Sequence, residues 1–363
     1  MITRREFSRL TASAALGFVA APYVARAAEA QTLRLGNASG IIDAQVTFLT
    51  VGQNPKTPFY KNENCAVEIV NLSGVSQSIQ ALLAGHVDST AVSPTAFLNL
   101  AAKNPDIDMM FPYIWLRQVH WSVIVKPDSP LKEIKDLKGK RVGIRNQGDT
   151  GYIAARAMLK EIGVNPDKEV EWVPVGEGGP AGQSIYQGRV DAMAYWDGGI
   201  SRIENATGLA FRHLPNTPRC RRLFGNGYAV RKSTFEAKKE LFTRFFRAMA
   251  IGTVFAHTNV KLGIELHWEV YPESKPKGKT DDEAMKEALH VLNNRKDKWF
   301  PGDWDPDKRL GAQNKDQWDA QIEFAELEGK IKDVTRYFDT SIVDDVNKFD
   351  RGKIEKMARE LKT

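Results

Sequence analysis

The chain has 363 residues, of which 42% are apolar and 26% charged, and a formal charge of +6. That length predicts two domains rather than one, and the composition is that of a globular protein whose core needs neither disulfides nor metal. Arg4, Arg5, Arg9 and Arg26 against Glu6 place +3 of the charge in the first 27 residues, so the remainder carries +3. That excess gives no argument for a nucleic-acid partner and favours anionic ligands only mildly.

The N-terminus reads as an export signal. Thr3-Arg4-Arg5-Glu6-Phe7 sets paired arginines before an aromatic residue, an apolar run follows from Thr11 to Ala21, and Ala25-Arg26-Ala27 offers small residues for cleavage. The order matches a secretory leader, and Arg-Arg-x-Phe resembles the twin-arginine type, which predicts a periplasmic protein cleaved near Ala27. No later segment is long and apolar enough to span a membrane. Cys65 and Cys220 lie in no Cys-x-x-Cys or Cys/His pattern, so neither metal nor cofactor is expected, and their pairing stays open.

Past the leader, Thr32–Gly36 predicts a strand, Asn37–Gly40 a polar turn, and Ile41–Val51 a helical stretch. Ala66–Val70 is the next strand, rich in β-branched residues. Ser76 can cap the helix that begins near Gln77, Gly85 ends that helix, and Val87–Val92 is a third strand. Ser93-Pro94 starts another helix as an N-cap followed by proline. The first lobe therefore reads βαβαβα, with parallel strands and right-handed crossovers. His120–Val125 is the extended passage into a second lobe. There Val142–Ile144, the loop Asn146–Gly151, a helix to Ile162, the strand Val170–Val175 and the loop Gly176–Pro180 repeat the scheme. Asn226–Arg231 reads as a return strand, and the helical remainder is expected to fold back on the first lobe. The boundaries expected are 1–27 for the signal, 28–120 with 226–363 for lobe one and its tail, and 121–225 for lobe two.

One unit occurs twice. Aligned on Gly85 and Gly188, residues 85–91 and 188–194 both read Gly-x-Val-Asp-small-x-Ala. Asp88 and Asp191 start strands, the end away from a cleft, and are read as structural caps. Ligands of open parallel sheets bind beyond the carboxyl ends of the strands. Those ends carry Asn37–Gly40, Ser73-Gly74, Ser93–Thr95, Gln147–Gly151, Gly176–Gly179 and Trp196–Gly199, mostly at helix N-termini that favour anionic or strongly polar groups. The Trp196 ring can wall the cleft and Asp197 can bind an amine. Of Trp115, His120 and Trp121, one is expected to face the cleft. Neither a P-loop nor a dinucleotide fingerprint is present.

The export signal, Ser76–Val92, the crossing at His120–Pro130, Leu137–Gly143 and Gly188–Ala192 together resemble the type II periplasmic solute-binding proteins of ABC transporters. Within them the chain looks most like the nitrate/sulfonate/taurine and thiamine-pyrimidine-precursor group. The resemblance implies an α/β, two-lobed fold, each lobe a mostly parallel sheet with flanking helices, joined by two crossover strands and followed by a helical tail. It also implies a monomeric binding protein without catalysis, which delivers one small solute to a membrane permease and its ATPase. Carried over by position, its contact residues are Asn37, Ser39, Ser73, Ser93, Thr95, Asp149, Thr150, Trp196 and Asp197. Asp149 and Asp197 oppose a simple anion. The expected solute is therefore small and polar, whether zwitterionic, heteroaromatic or sulfonate-like. A receptor of the tripartite ATP-independent type shares the lobes, but its glycine/threonine-rich first loop is poorly matched by Asn37–Gly40. A pyrimidine-precursor biosynthetic enzyme of this fold is the other alternative, and it has a cysteine-rich motif that this chain lacks.

Overall fold

The computed structural model describes residues 30–72 and 74–362; the proposed export signal and Ser73 lie outside the described residues. Ten strands form two five-stranded sheets: β1 (Gln31–Asn37), β2 (Cys65–Asn71), β3 (Ser89–Val92), β4 (Met110–Ile114), β5 (Trp121–Val125), β6 (Arg141–Ile144), β7 (Glu171–Pro174), β8 (Ala192–Trp196), β9 (Arg212–His213) and β10 (Gly227–Val230). The first sheet runs β2-β1-β3-β10-β4 and the second β7-β6-β8-β5-β9. In each, three strands are parallel and the fourth is antiparallel to both neighbours. Four strands of each sheet thus share a direction. The odd strand is the one that arrives from the other half: β5 enters the second sheet from β4, and β10 enters the first from β9. The two sheets are copies of one design, each completed by a crossing strand.

The repeated unit explains the copying. The helices Gly74–Leu83 and Gly178–Tyr186 both end at a glycine with positive φ, +77° at Gly85 and +70° at Gly188, a conformation cheap only for glycine. His86 N–H donates to Ala81 O (2.9 Å) and Gly85 N–H to Leu82 O (3.0 Å). Arg189 to Ser184 (2.9 Å) and Gly188 to Ile185 (3.1 Å) repeat the pattern, which satisfies the last carbonyls of each helix. Asp88 then accepts from Arg34 N (2.9 Å) and Nε (3.2 Å), and Asp191 from Arg141 N (2.9 Å) and Nη2 (3.0 Å). The recurring aspartates stitch the start of the third strand to the first strand in each lobe, at the middle of β1 and at the start of β6.

The tail packs on the first lobe and reaches the second lobe as well. The helix Lys239–Thr258 does lie in the first lobe, where Phe246 stacks on Tyr113 (4.8 Å) and Phe245 on Tyr60 (5.6 Å). The next segments straddle both lobes. The helix Asp281–Asn293 faces Asp197–Thr207 of the second lobe: His290 Nε2 lies 2.8 Å from Glu204, Asn205 donates to Glu287 O (3.0 Å), and Asn294 to Ser201 (2.8 Å). The helix Lys315–Phe324 sets Trp318 and Ile322 in the first lobe's core and Phe324 in the second's. The polar residues on both sides of these contacts leave little in the local pattern to assign a lobe. Cys65 and Cys220 are free buried thiols in different lobes.

The strongest cross-lobe tie is ionic. Asp197, 4% exposed, accepts from Arg295 Nε at 2.9 and 3.1 Å and from Lys298 Nζ at 2.8 Å, with a further short contact from Arg295 Nη2. Burial alone raises a carboxyl pKa, yet Arg295 and Lys298 hold this one well below the usual range.

Both kinds of aspartate can be tested by stability. Burial raises the Asp88 carboxyl, but the Arg34 and Lys238 contacts outweigh it, so its pKa falls below the ordinary 3.8. Its stabilisation is therefore present above that value and lost as pH falls through the depressed one. Asp88→Asn should cost about 1–2 kcal/mol at neutral pH, since Arg34 and Lys238 are partly solvated. Melting curves of both proteins should converge in acid, and an equal gap at pH 7 and pH 3 would refute the assignment. Asp197→Asn strands a buried guanidinium and should cost about 3–5 kcal/mol in urea unfolding; a loss below about 1 kcal/mol would show that the pair is not a structural tie.

Candidate functional site

A cleft of about 480 Å³ lies between the sheets, at the carboxyl ends of their parallel strands. The strand order puts it there. β1 and β3 end at Asn37 and Val92, β6 and β8 at Ile144 and Trp196, and each end turns into a loop or a helix start. Five helices begin around it, at Gly74, Pro94, Thr150, Gly178 and Asp197. Their first backbone N–H groups give the cleft a positive lining before any side chain is counted.

Of the nine expected contact residues, Asn37, Ser39, Ser93, Asp149, Thr150 and Trp196 line this cleft. Asn37 and Ser39 form its rim: Asn37 donates to Ile41 O (2.7 Å) and Asn71 Oδ1 (2.9 Å), and Ser39 Oγ lies 2.7 Å from Ile41 O. Ser93 is the N-cap of Pro94–Ala101 and Asp149 of Thr150–Glu161, where Asp149 accepts from Gly151 N–H at 2.8 Å. Burial raises the Asp149 carboxyl above its ordinary pKa, more than the Gly151 N–H and Arg145 lower it. Trp196 stacks on Tyr195 (4.3 Å between centroids) and carries two guanidinium groups over its ring, Arg145 at 5.4 Å and Arg202 at 5.5 Å.

Two expected residues are elsewhere, and a third is undescribed. Thr95 is buried and donates to Gln321 Oε1 at 2.7 Å, which ties the first lobe to the tail. Asp197 is not part of the lining, and its carboxylate is consumed by Arg295 and Lys298. The reading of Asp197 as an amine ligand is thereby corrected, because both oxygens already have cationic partners. With it goes half of the argument against an anionic solute. Ser73 lies outside the described residues.

The cleft's main charge was missed in the sequence. Arg145 ends the strand run of the second lobe, pairs with Glu177 (2.7 Å), and stands 3.8 Å from Asp149. Its Nη2 lies 3.5 Å from where a β-carbon on Gly74 would sit, so it reaches across the cleft to the N-terminus of Gly74–Leu83. Gly74 has φ +83°, a left-handed conformation that glycine alone takes cheaply. A cation at the strand's carboxyl end, just before Asn146–Gly151, was the signal available. Arg295 also lines the cleft, with its guanidinium 5.7 Å over the Trp115 ring; it comes from the tail and left no such signal. Trp115, His120 and Trp121 all face the cleft, where only one was expected. Burial first, and then Arg295, hold His120 well below its ordinary pKa, so it is neutral. Gln45, Ser76, Asn226 and Tyr228 complete the polar lining.

Three buried polar atoms of cleft residues have no protein partner among the described residues: Trp115 Nε1, His120 Nδ1 and Asn226 Oδ1. Each such atom costs about 1–3 kcal/mol unless something hydrogen-bonds to it. Neither thiol lies in the lining, and burial pushes both up to about 12. Among the described residues, no cluster of His, Cys, Asp and Glu could hold a metal, and no helix is long and apolar enough to cross a membrane.

The model of the NMT1/THI5-like family matches residues 37–260, more than half of the chain. Among solved structures, the periplasmic aliphatic sulphonate binding protein SsuA of Escherichia coli is similar at 16% identity and TM-score 0.62, covering 83% of this chain and 92% of that one. The alkanesulfonate-binding protein SsuA of Xanthomonas axonopodis pv. citri, bound to MOPS, gives 16% identity and TM-score 0.58 over 86% of this chain and 100% of that one. A cysteine-to-serine mutant of DszB in complex with biphenyl-2-sulfinic acid gives 14% and 0.54, over 87% and 99%. At these identities the likeness is one of fold, and the fold is that of the periplasmic binding proteins. The chain belongs to the NMT1/THI5-like family.

Proposed function

We propose that this protein captures one small anionic solute between its lobes, without turnover, and delivers it to the permease and ATPase of an ABC importer. The observation that carries the reading is Arg145, which reaches from the second lobe to the N-terminus of Gly74–Leu83 in the first. Arg145 Nε pairs with Glu177, while its Nη2 faces the positive end of that helix, an unfavourable contact by itself. An acidic group lying beside both meets both, and it touches both lobes at once. Such a solute binds the closed arrangement better than an open one, the condition for ligand-driven closure. Trp115, Trp121, Trp196 and Tyr228 supply flat apolar walls, which suits an organic acid better than a bare inorganic ion.

Several observations support binding without catalysis. Among the described residues, the hydroxyls of Ser39, Ser76, Ser93 and Thr150 have no histidine partner in the cleft, and His120 Nδ1 is turned to Gly225, 2.9 Å from where its β-carbon would stand. Both thiols are buried outside the lining. A thiol enzyme on this cleft has no nucleophile. The sulphonate-binding neighbour of Escherichia coli is a periplasmic protein, and the leader of this chain is read as an export signal, so a periplasmic location belongs to the same proposal.

A thermal-shift panel of alkane- and arylsulfonates, aromatic carboxylates, amino acids and pyrimidines tests it. An acid at 100 times its dissociation constant should add about 2.7 kcal/mol of stability. Arg145→Gln removes one charge-assisted contact and should weaken that acid about tenfold to a hundredfold, with the unliganded melting point little changed because Glu177 is exposed. Equal affinity in Arg145→Gln would show that the acid binds elsewhere.

A further inference from the structure

Beside the cleft, the lobes meet at a contact that needs a glycine. The segment Asp43–Gln45 belongs to the first lobe, where Ala44 and Phe48 sit in its core. It presses on the first turn of the helix Asp197–Thr207 in the second lobe. A β-carbon on Gly198 would overlap the Gln45 carboxamide, and its three nearest neighbours would all be atoms of that group. Gly198 is not one of the glycines with positive φ. The helix itself would therefore accept alanine, and favour it; the space taken by Gln45 is what calls for glycine. Gln45 has little freedom to turn aside. It is 5% exposed, its backbone N–H donates to Asp43 Oδ1 at 3.0 Å, and its Nε2 donates to Asp43 Oδ2 at 2.9 Å.

The same Asp43 carboxylate faces the second lobe, where Oδ2 accepts from Arg202 Nη1 at 3.3 Å. The Arg202 guanidinium in turn lies 5.5 Å over the Trp196 ring. Gln45 and Trp196 line the cleft, whereas Asp43, Gly198 and Arg202 do not. We propose that Asp43, Gly198 and Arg202 are positioning residues of the cleft. They act through Gln45 and Trp196 to set how closely the lobes approach, and so how tightly the solute is held. Gly198 gives the stop its depth, since only hydrogen there lets Gln45 seat on the helix. Arg202 is bound to Asp43 of the other lobe and covers the aromatic wall of its own, so wall and lobe contact move together. A protein that populates its binding-competent arrangement less binds its solute more weakly by that fraction. The consequence for affinity rests on the solute-binding reading above; the lobe spacing is measured without solute.

Spin labels on Lys103→Cys and Lys168→Cys, both exposed and one on each lobe, report the spacing by pulsed electron resonance, since the two native thiols are buried. In the unliganded protein, Gly198→Ala should shift the measured distance. Adding Gln45→Ala should return it, because the side chain that the new methyl meets is gone. Calorimetry with ethanesulfonate, butanesulfonate, benzenesulfonate and benzoate reads binding. The tightest of these should weaken about tenfold in Gly198→Ala. It should weaken severalfold in Asp43→Asn, which keeps the acceptor for Gln45 N–H and removes the charge facing Arg202. Unliganded melting curves check that each variant folds. An unshifted distance in Gly198→Ala overturns the proposal, as does a shift that survives Gln45→Ala. Wild-type affinity in either Gly198→Ala or Asp43→Asn overturns it as well. If none of the four acids binds, the acid-binding reading falls, and the distance measurement alone decides whether this contact sets the lobe spacing.

Discussion

The buried carboxylate of Asp197, held by Arg295 and Lys298, is the contact on which the arrangement of the cleft depends. It joins the first turn of a second-lobe helix to a tail segment that packs on the first lobe. Buried ion pairs are weak evidence for stability, because desolvation offsets most of their attraction; what they do well is fix position. Here the position fixed is that of the residue next to Trp196, and hence of the aromatic wall. The same pairing removes a negative charge from the cleft. Arg145 is left as the cation that a ligand meets, beside Glu177 and a buried Asp149 whose own pKa is raised. An acid is then better matched to the cleft than an amine.

Strand exchange between the sheets explains why the floor of the cleft is built as it is. Each sheet accepts one antiparallel strand from the other half, so both crossings run through the middle of the molecule. Their connecting residues, Trp115 to His120 and Gly225-Asn226, link the lobes, and Trp115, His120 and Asn226 among them line the cleft. Any rotation of one lobe on the other bends these segments. A group that touches both of them is therefore coupled to the conformation as well as to the site. The tail adds a second constraint, since the helices Asp281–Asn293 and Lys315–Phe324 each touch both lobes. Local openings of these polar contacts need little apolar exposure, which places them among the less costly motions of the chain.

Much of the fold was legible because its signals are local. Gly85 and Gly188 take the left-handed conformation their helix ends require, and Asp88 and Asp191 occupy equivalent strand starts, so the copied unit was visible as a spacing. The cleft rim was legible for the same reason, since Ser93 and Asp149 cap helices within three residues of themselves. Residues whose role depends on distant partners were not. Asp197 looked like a free carboxylate because Arg295 is 98 positions away, and Thr95 looked like a cleft hydroxyl because Gln321 is 226 away. Arg145 stood in plain view at a strand end, but nothing nearby in the sequence shows that it reaches Gly74. The lobe-straddling tail was illegible for a related reason. Its helices carry polar residues toward the second lobe, and a polar face reads as solvent until a partner is seen.

The claim at the centre of this account is that one solute touches both lobes at once. Hydrogen exchange with mass spectrometry, run with and without an acid that raises the melting point, tests it most directly. The account predicts protection appearing together on the first-lobe wall, around residues 37–41 and 74–76, and on the second-lobe wall, around 146–151 and 196–199. Protection of one wall alone, or of a surface away from both, would contradict it.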